Sequence, residues 1–445
     1  MRRWLIVILA ILGISLAAMF VFDSTVLRLT TIIAGTCLVL WLSEIVPPFV
    51  PTFLLWTLTP LLLGSFDKKF NLPNVLTWAI DPVLVLFFGG FVLGVATERY
   101  GFDKRLANIA LRSAGKSFAK FLLLVIFLTA FLSMWMSNVA AAALMLACLH
   151  PVLLNFQIDN LLRRALLVGI ALGANLGGIA TPIGTGPNAI AIAAISETRH
   201  ISFLGWMSFA LPISIGMLFA GFALIWFRVR RHGSEWTSEK VLDGENPNTR
   251  KTGEFAFLLV FAGTIVLWLT EPLHGVSASV ISLLAASVLF LTRLLKKEDL
   301  LRVDWSTLLL IAGGITLGKL LEHSGLVKII AANVAWNDLN TTLALFLLCL
   351  ASATLSALMS NTATAILLIP LAYALIPVPS TAILVAIAAS FGIPFAISTP
   401  PNAMVFGEGG VKFSDLFLPG IILMAAGCLL VSLTGRTVLN FVGIP

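Results

Sequence analysis

A chain of 445 residues that is 59% hydrophobic and only 11% charged cannot be a soluble globular protein, where roughly a quarter of residues carry charge. Its net charge of +7 lies in short basic clusters between apolar runs, the pattern of the positive-inside rule and not of a nucleic-acid surface. Cys37, Cys148, Cys349 and Cys428 stand singly in apolar stretches without metal-ligand spacing, which argues against a disulfide framework or a zinc site and for buried thiols.

In chain order, Met1-Arg2-Arg3 precedes an apolar run from Trp4 to Phe22 that is longer than a signal-peptide core. Residues 1–24 therefore read as a first transmembrane helix with a cytoplasmic N-terminus, in a multi-pass protein of the plasma or inner membrane. Val26 to Val46 and Phe49 to Phe66 follow as spans joined at Pro47-Pro48, then Pro82 to Glu98. Arg99, Lys104, Arg105, Arg112, Lys116 and Lys120 come next and mark a cytoplasmic surface. The apolar stretch between Lys120 and Arg163 has basic flanks on both sides, with Ser137-Asn138-Val139 near its middle. A single span would violate the charge rule; a re-entrant hairpin obeys it.

Leu166 to Ile195 is a span that should break at Gly177-Gly178, Pro182 and Gly184-Thr185-Gly186-Pro187-Asn188, because proline removes a donor and clashes with the preceding turn. Phe203 to Phe227 leads to the longest polar loop, residues 229–253, which reads as cytoplasmic. Beyond it lie Phe255 to Thr270, Val276 to Leu291, a basic patch, and Ser306 to Leu321. The uncharged run from Thr341 to Ile376 carries Ser360-Asn361-Thr362 and fits a second hairpin. Ile383 to Phe406 is a second broken span, interrupted at Gly392, Pro394 and Ser398-Thr399-Pro400-Pro401-Asn402, and Leu416 to Leu439 closes the chain.

The halves repeat. Gly89-Gly90, Gly94, Glu98 and Gly101 recur at identical spacing as Gly313-Gly314, Gly318, Glu322 and Gly325, and the Ser-Asn and Pro-Asn pairs follow in the same order. The segment before the first hairpin is basic and the one before the second is not, so the two face opposite sides. The expected fold is an all-α polytopic membrane protein of about eleven transmembrane helices plus two re-entrant hairpins. Residues 25–228 and 254–445 would form its inverted-topology repeats, each with one broken helix. Such repeats with discontinuous helices point to a secondary transporter with a midplane site.

Four segments should meet there: Ser133 to Cys148, Gly173 to Ile195, Thr354 to Pro370, and Ser390 to Gly407. None contains Lys, Arg, His, Asp or Glu. They offer hydroxyls, Asn side chains and half-helix N-termini, which suit an anion, and unwound carbonyls, which suit Na⁺. The expected site is thus free of ionised side chains, with co-bound cations offsetting the anion's charge. Proton coupling is disfavoured because nothing in these segments titrates near neutral pH.

These motifs resemble the divalent anion:sodium symporter family, which carries dicarboxylates, citrate or sulfate. The resemblance rests on Ser137-Asn138-Val139, Ser360-Asn361-Thr362, Gly184-Thr185-Gly186-Pro187-Asn188 and Ser398-Thr399-Pro400-Pro401-Asn402. It implies a homodimer with an elevator-type transport domain and one sodium site per half. By motif, the first sodium would use Ser133, Ser137, Asn138 and the Gly184 carbonyl. The second would use Ser356, Asn361 and the carbonyls of Met359 and Ser398. The substrate anion would meet Asn138, Thr185, Ser360, Asn361, Thr362 and Thr399. Val139 departs from the pattern by replacing a threonine hydroxyl, which puts a symmetric dicarboxylate in question.

Plainer roles suit other residues. Glu98 and Glu322 sit at span ends and read as caps, Asp81 as a cap before Pro82, His150 and His274 as water-facing, and the tryptophans as interface anchors. Glu44 and Lys319, in or near apolar runs, are left open between function and pairing. No Gly-x-Ser-x-Gly or histidine pair in an apolar run supports an intramembrane enzyme. A sodium-independent exchanger and an anion channel are the remaining alternatives.

Overall fold

The computed structural model describes residues 2–102, 105, 117–235, 253–333, 340–441 and 443. Lys104, Arg112, Lys116 and most of the 229–253 loop lie outside the described residues. The first half comprises α1 (Arg2–Val21), α2 (Thr25–Ser43), α3 (Val50–Leu63), α4 (Leu72–Ala79), α5 (Pro82–Tyr100), α6 (Phe118–Ser133), α7 (Asn138–Leu153), α8 (Leu161–Gly177), α9 (Gly186–Ile195) and α10 (Phe203–Val229). The second comprises α11 (Glu254–Leu269), α12 (Ala278–Leu291), α13 (Trp305–His323), α14 (Leu326–Asn333), α15 (Thr341–Leu358), α16 (Asn361–Leu375), α17 (Pro379–Ala389), α18 (Pro400–Gly407) and α19 (Phe413–Phe441).

Among the described residues, 8 helices are long and apolar enough to cross a membrane unaided. Three expected spans, α3, α11 and α12, are helices of 14, 16 and 14 residues. At 1.5 Å per residue these reach roughly 21–24 Å, short of a 30 Å hydrocarbon core. The first broken span begins at Leu161, earlier than its hydropathy suggests, because Asn160 accepts from the backbone N–H groups of Leu162 and Arg163 and starts the helix there. The short helices α4 and α14 were not expected; they lie in segments that connect the longer helices.

The two glycine-patterned helices run in opposite directions. Arg302, just before α13, pairs with Glu98 at the end of α5 at 2.7 Å. At the other end, Lys319 near the end of α13 pairs with Glu197, whose neighbour Ser196 donates to Asp81 at the start of α5 at 3.4 Å. Glycine lets each helix approach a partner closely. A Cβ on Gly89 would collide with Ser282 of α12, and one on Gly313 with Thr52 of α3. On the neighbouring faces, Gly90 abuts Ile183 beside the first helix break, and Gly314 abuts Ile366 of α16.

At the centre lie α8 and α17: Leu162 to Gly177 and Ser380 to Ala389 are buried throughout. The hairpin α6–α7 packs on α8 and against α18; the hairpin α15–α16 packs on α17 and against α9. Each hairpin is thus clasped by elements of both halves. Several expectations for single residues need correction. Glu98 and Glu322 form ion pairs with Arg302 and Lys319, the latter at 3.5 Å, instead of capping. Trp41, Trp206 and Trp268 are buried and donate to the carbonyls of Pro48, Ile179 and Ala278, so they pack the interior and do not anchor it at the interface.

Candidate functional site

The two hairpin tips are built alike. Ser137 and Ser360 are extended residues at φ −62, ψ 147 and φ −67, ψ 144, and each side chain accepts from the backbone N–H three residues on, Ala140 and Ala363, at 3.2 Å. This N-cap geometry starts α7 and α16 at Asn138 and Asn361. The helix breaks match too: Thr185 and Thr399 are extended caps of α9 and α18, at φ −151, ψ 148 and φ −142, ψ 149. Behind each cap an asparagine ties the break together. Asn188 donates to Gly178 O and Thr181 O at 3.1 and 2.8 Å, and Asn402 donates to Ile393 O and Phe395 O, both at 2.8 Å. These bonds satisfy carbonyls that the interrupted helix leaves without partners.

The four N-termini converge on one cavity of about 190 Å³. Its lining includes Ser137, Asn138 and Val139 from α7, Gly184 to Gly186 from α9, Ser360 to Thr362 from α16, and Ser398 to Pro401 from α18. Partial positive charge from four helix ends is therefore focused on one small space. The halves are unequal. Val139, 42% exposed, together with Phe87, Phe91 and Ile183, makes the first half's wall apolar, whereas Ser360, Asn361 and Thr362 make the opposing wall polar. The prolines Pro187, Pro400 and Pro401 withhold N–H groups at the start of α9 and α18.

Beside the cavity, each half brings together one serine and one asparagine. Ser133 Oγ lies 2.7 Å from Asn138 Oδ1, and Ser356 Oγ lies 2.7 Å from Asn361 Oδ1; both serines are fully buried. Ser133 Oγ is also 2.7 Å from Ala174 O. One hydroxyl carries one proton, so one of these two contacts is oxygen to oxygen. The Asn138 amide faces the Ala174 and Gly184 carbonyls as well. The oxygens of Ser133, Ala174 and Gly184 are the first half's share of a candidate cation site. Alternatively, the amide turned over donates to Ala174 O and Gly184 O at 3.2 Å and to Ser133 Oγ at 2.7 Å. Backbones crowd here: a Cβ on Gly178 would stand 2.6 Å from Asn138 Oδ1, and one on Gly392 2.6 Å from Ala357 N. Met359 is extended at the end of α15, so its carbonyl lies outside the helix ladder, while Ser398 donates its hydroxyl to Phe395 O at 2.7 Å.

The expectation of a site without ionised side chains is corrected by Asp304, which lines the cavity together with Thr307. Asp304 caps α13, accepting from Thr307 N at 3.0 Å and Thr307 Oγ1 at 2.6 Å. It lies outside the four segments, on a helix that reaches the site only through the fold. Asn175 was likewise missed; it donates to Asn402 Oδ1 at 2.9 Å and joins the two broken helices. An asparagine in the apolar stretch Ala165 to Gly177, beyond the arginines that open the helix, is the available signal.

Two larger cavities lie along the glycine-patterned helices α5 and α13. One, of about 340 Å³, shares Phe91, Ser137 and Asp304 with it and also meets Glu98 and Arg302. The other, of about 480 Å³, is lined by Gly318, Lys319, Glu322, Pro370 and Tyr373, the repeat-related positions, and shares no lining residue with the cavity. Lys319, left open between function and pairing, bonds to the Glu197 carboxyl and holds it below the ordinary carboxylate range. Burial pushes the Asp81 carboxyl up, although it caps α5 by accepting from Val83 N at 2.8 Å.

Known proteins share this architecture and sequence. The Alcanivorax borkumensis YdaH transporter has the same fold, with a TM-score of 0.60 at 14% identity over 88% of this chain and 98% of that one. An uncharacterized transporter of Haemophilus influenzae is 32% identical over 414 residues, covering 86% of each chain. The sodium-dependent dicarboxylate transporter SdcS of Staphylococcus saprophyticus is 26% identical over 419 residues, covering 84% of this chain and 79% of its own. A sequence model of the citrate transporter family matches residues 38–382. The chain is a multi-pass membrane transporter and not an enzyme, and it belongs to the citrate transporter family, in keeping with its resemblance to the divalent anion:sodium symporters.

Proposed function

We propose that this chain is a secondary active transporter that carries a divalent organic anion, C4-dicarboxylate-like or citrate, or else sulfate, coupled to Na⁺ entry. The observation that carries this reading is the meeting of four half-helix N-termini at a cavity whose described lining holds no Lys, Arg or His. Each helix end contributes at most about 2 kcal/mol to a bound anion, whereas desolvating an ionised carboxylate costs several kcal/mol, and a dianion more. Cations carried with the anion supply the missing charge.

In this reading the first sodium is held by Ser133, Ser137, Asn138 and the Gly184 carbonyl, and the second by Ser356, Asn361 and the carbonyls of Met359 and Ser398. The anion is held by Asn138, Thr185, Ser360, Asn361, Thr362 and Thr399, with Val139 shaping the apolar wall. The name of the Staphylococcus saprophyticus relative, a sodium-dependent dicarboxylate transporter, supports both halves of the reading. Residues 25–228 and 254–445 are its repeats, 1–24 an added helix and 229–253 the connecting cytoplasmic loop. The basic residues Arg99, Arg302, Lys296 and Lys297 support a reading in which the Arg302 face and the N-terminus are cytoplasmic, in a plasma or inner membrane. Hairpins, α8–α9 and α17–α18 move as one elevator body against a scaffold that dimerises.

Uptake of labelled succinate, citrate and sulfate into proteoliposomes tests this. A Na⁺ gradient should drive accumulation of at least one of them, and replacement of Na⁺ by choline should abolish it. Uptake indifferent to Na⁺ would sink the coupling. A sodium-independent exchanger is the second reading, favoured by the Asn138 amide, which in its turned orientation satisfies its neighbours without a cation.

A further inference from the structure

Among the α-helix N-caps described, aspartate occurs at two positions only, Asp81 before α5 and Asp304 before α13. These helices are the repeat-related, oppositely directed, glycine-patterned pair. A cap needs only an acceptor, which serine or asparagine supplies equally well, so the choice of a charged cap at both places calls for a reason.

The two caps stand in different surroundings. Asp304 lines the cavity and the larger one joined to it, the one ionisable group common to both linings. Its neighbour Arg302 is engaged by Glu98 at 2.7 Å and approaches Asp299 at 3.9 Å, and among the described residues no cation pairs with Asp304. Asp81, at the far end of the antiparallel pair, accepts from Ser196 at 3.4 Å and does not line the cavity. A fixed carboxylate beside an anion site raises the energy of the bound anion, and it does so only where it faces the site.

We propose that Asp304 and Asp81 are paired exit residues: each repels the anion on the face to which the site is open, Asp304 towards the Arg302 face and Asp81 towards the Glu197 face in the opposite state. The inference rests on the proposed anion transport. It assigns the two residues to release and leaves the holding of the anion to the hairpin tips.

The test is sided kinetics in oriented proteoliposomes, with the anion that the wild type carries as probe. Asp304→Asn keeps the cap and removes the charge. It should lower the half-saturating anion concentration on the Arg302 face about tenfold, equivalent to about 1.4 kcal/mol, slow release there, and leave the Glu197 face unchanged. Asp81→Asn should do the reverse. Asp304→Ser, also a capping residue, should reproduce Asp304→Asn. Wild-type uptake measured alongside establishes transport independently. With that transport intact, wild-type half-saturation on both faces in both Asn variants would overturn the inference, as would opposite effects of Asn and Ser at position 304.

Discussion

Val139 is the residue at which the two halves of the site differ most. Its repeat mate Thr362 carries a hydroxyl whose oxygen lies against Gly186 at the start of α9, whereas Val139 presents only methyl groups to the cavity. Val139→Thr adds a donor to the apolar wall and should shift preference among succinate, citrate and sulfate by about tenfold, read as a ratio of uptake rates. An unchanged ratio would mean that position 139 does not read the ligand. Ser133→Ala deletes one oxygen of the first cluster while leaving the tip cap on Ser137 intact. Loss of one such contact is worth about 1–1.5 kcal/mol, so half-saturating Na⁺ should rise about tenfold with little change in the maximal rate. The serine, asparagine and threonine positions were legible because the same short motif occurs twice in the same order. Asp304 was not, because its place at the cavity depends on which helix packs beside the hairpin tip, and a motif in sequence carries no record of that.

At the scale of elements, the helix breaks depend on backbone approaching backbone. A Cβ on Gly184 would stand 2.7 Å from the Gly178 Cα, and one on Gly186 would collide with the Thr362 hydroxyl. Gly184→Ala should cost about 1–3 kcal/mol of stability, as overpacking does, and lower the thermal midpoint of the detergent-solubilised protein. Gly13→Ala, where nothing lies within 4 Å, should leave it unchanged. Equal midpoints for the two variants would show that the break tolerates a side chain. The breaks were readable from Gly and Pro in apolar runs, the first hairpin from basic flanks on both sides of one run, and the second from an uncharged run that carries the same Ser-Asn pair. The span lengths were not. In Thr341–Leu358 a hairpin arm reaches 18 residues, while the expected span α3 has 14, so hydropathy alone does not separate arm from span. The helices α4 and α14 escaped because, at 8 residues each, they are too short to read as spans.

For the whole molecule, the Lys319–Glu197 pair joins α13 to the segment after α9. If the hairpins and broken helices travel as a body, this contact must part in each cycle. Glu197→Cys with Lys319→Cys, in a chain whose four native cysteines are replaced, should stop uptake on oxidation and recover on reduction. Uptake that persists across the oxidised link would argue against that movement. The account as a whole stands on coupling between cation and anion, and such coupling is reciprocal in the binding free energies. The most direct measurement is equilibrium binding of the transported anion to the purified protein in sodium chloride and in choline chloride at equal ionic strength. Binding should be at least about a hundredfold tighter with sodium, about 2.7 kcal/mol, and the anion should tighten sodium binding by the same factor. Equal affinity in the two salts would contradict the account.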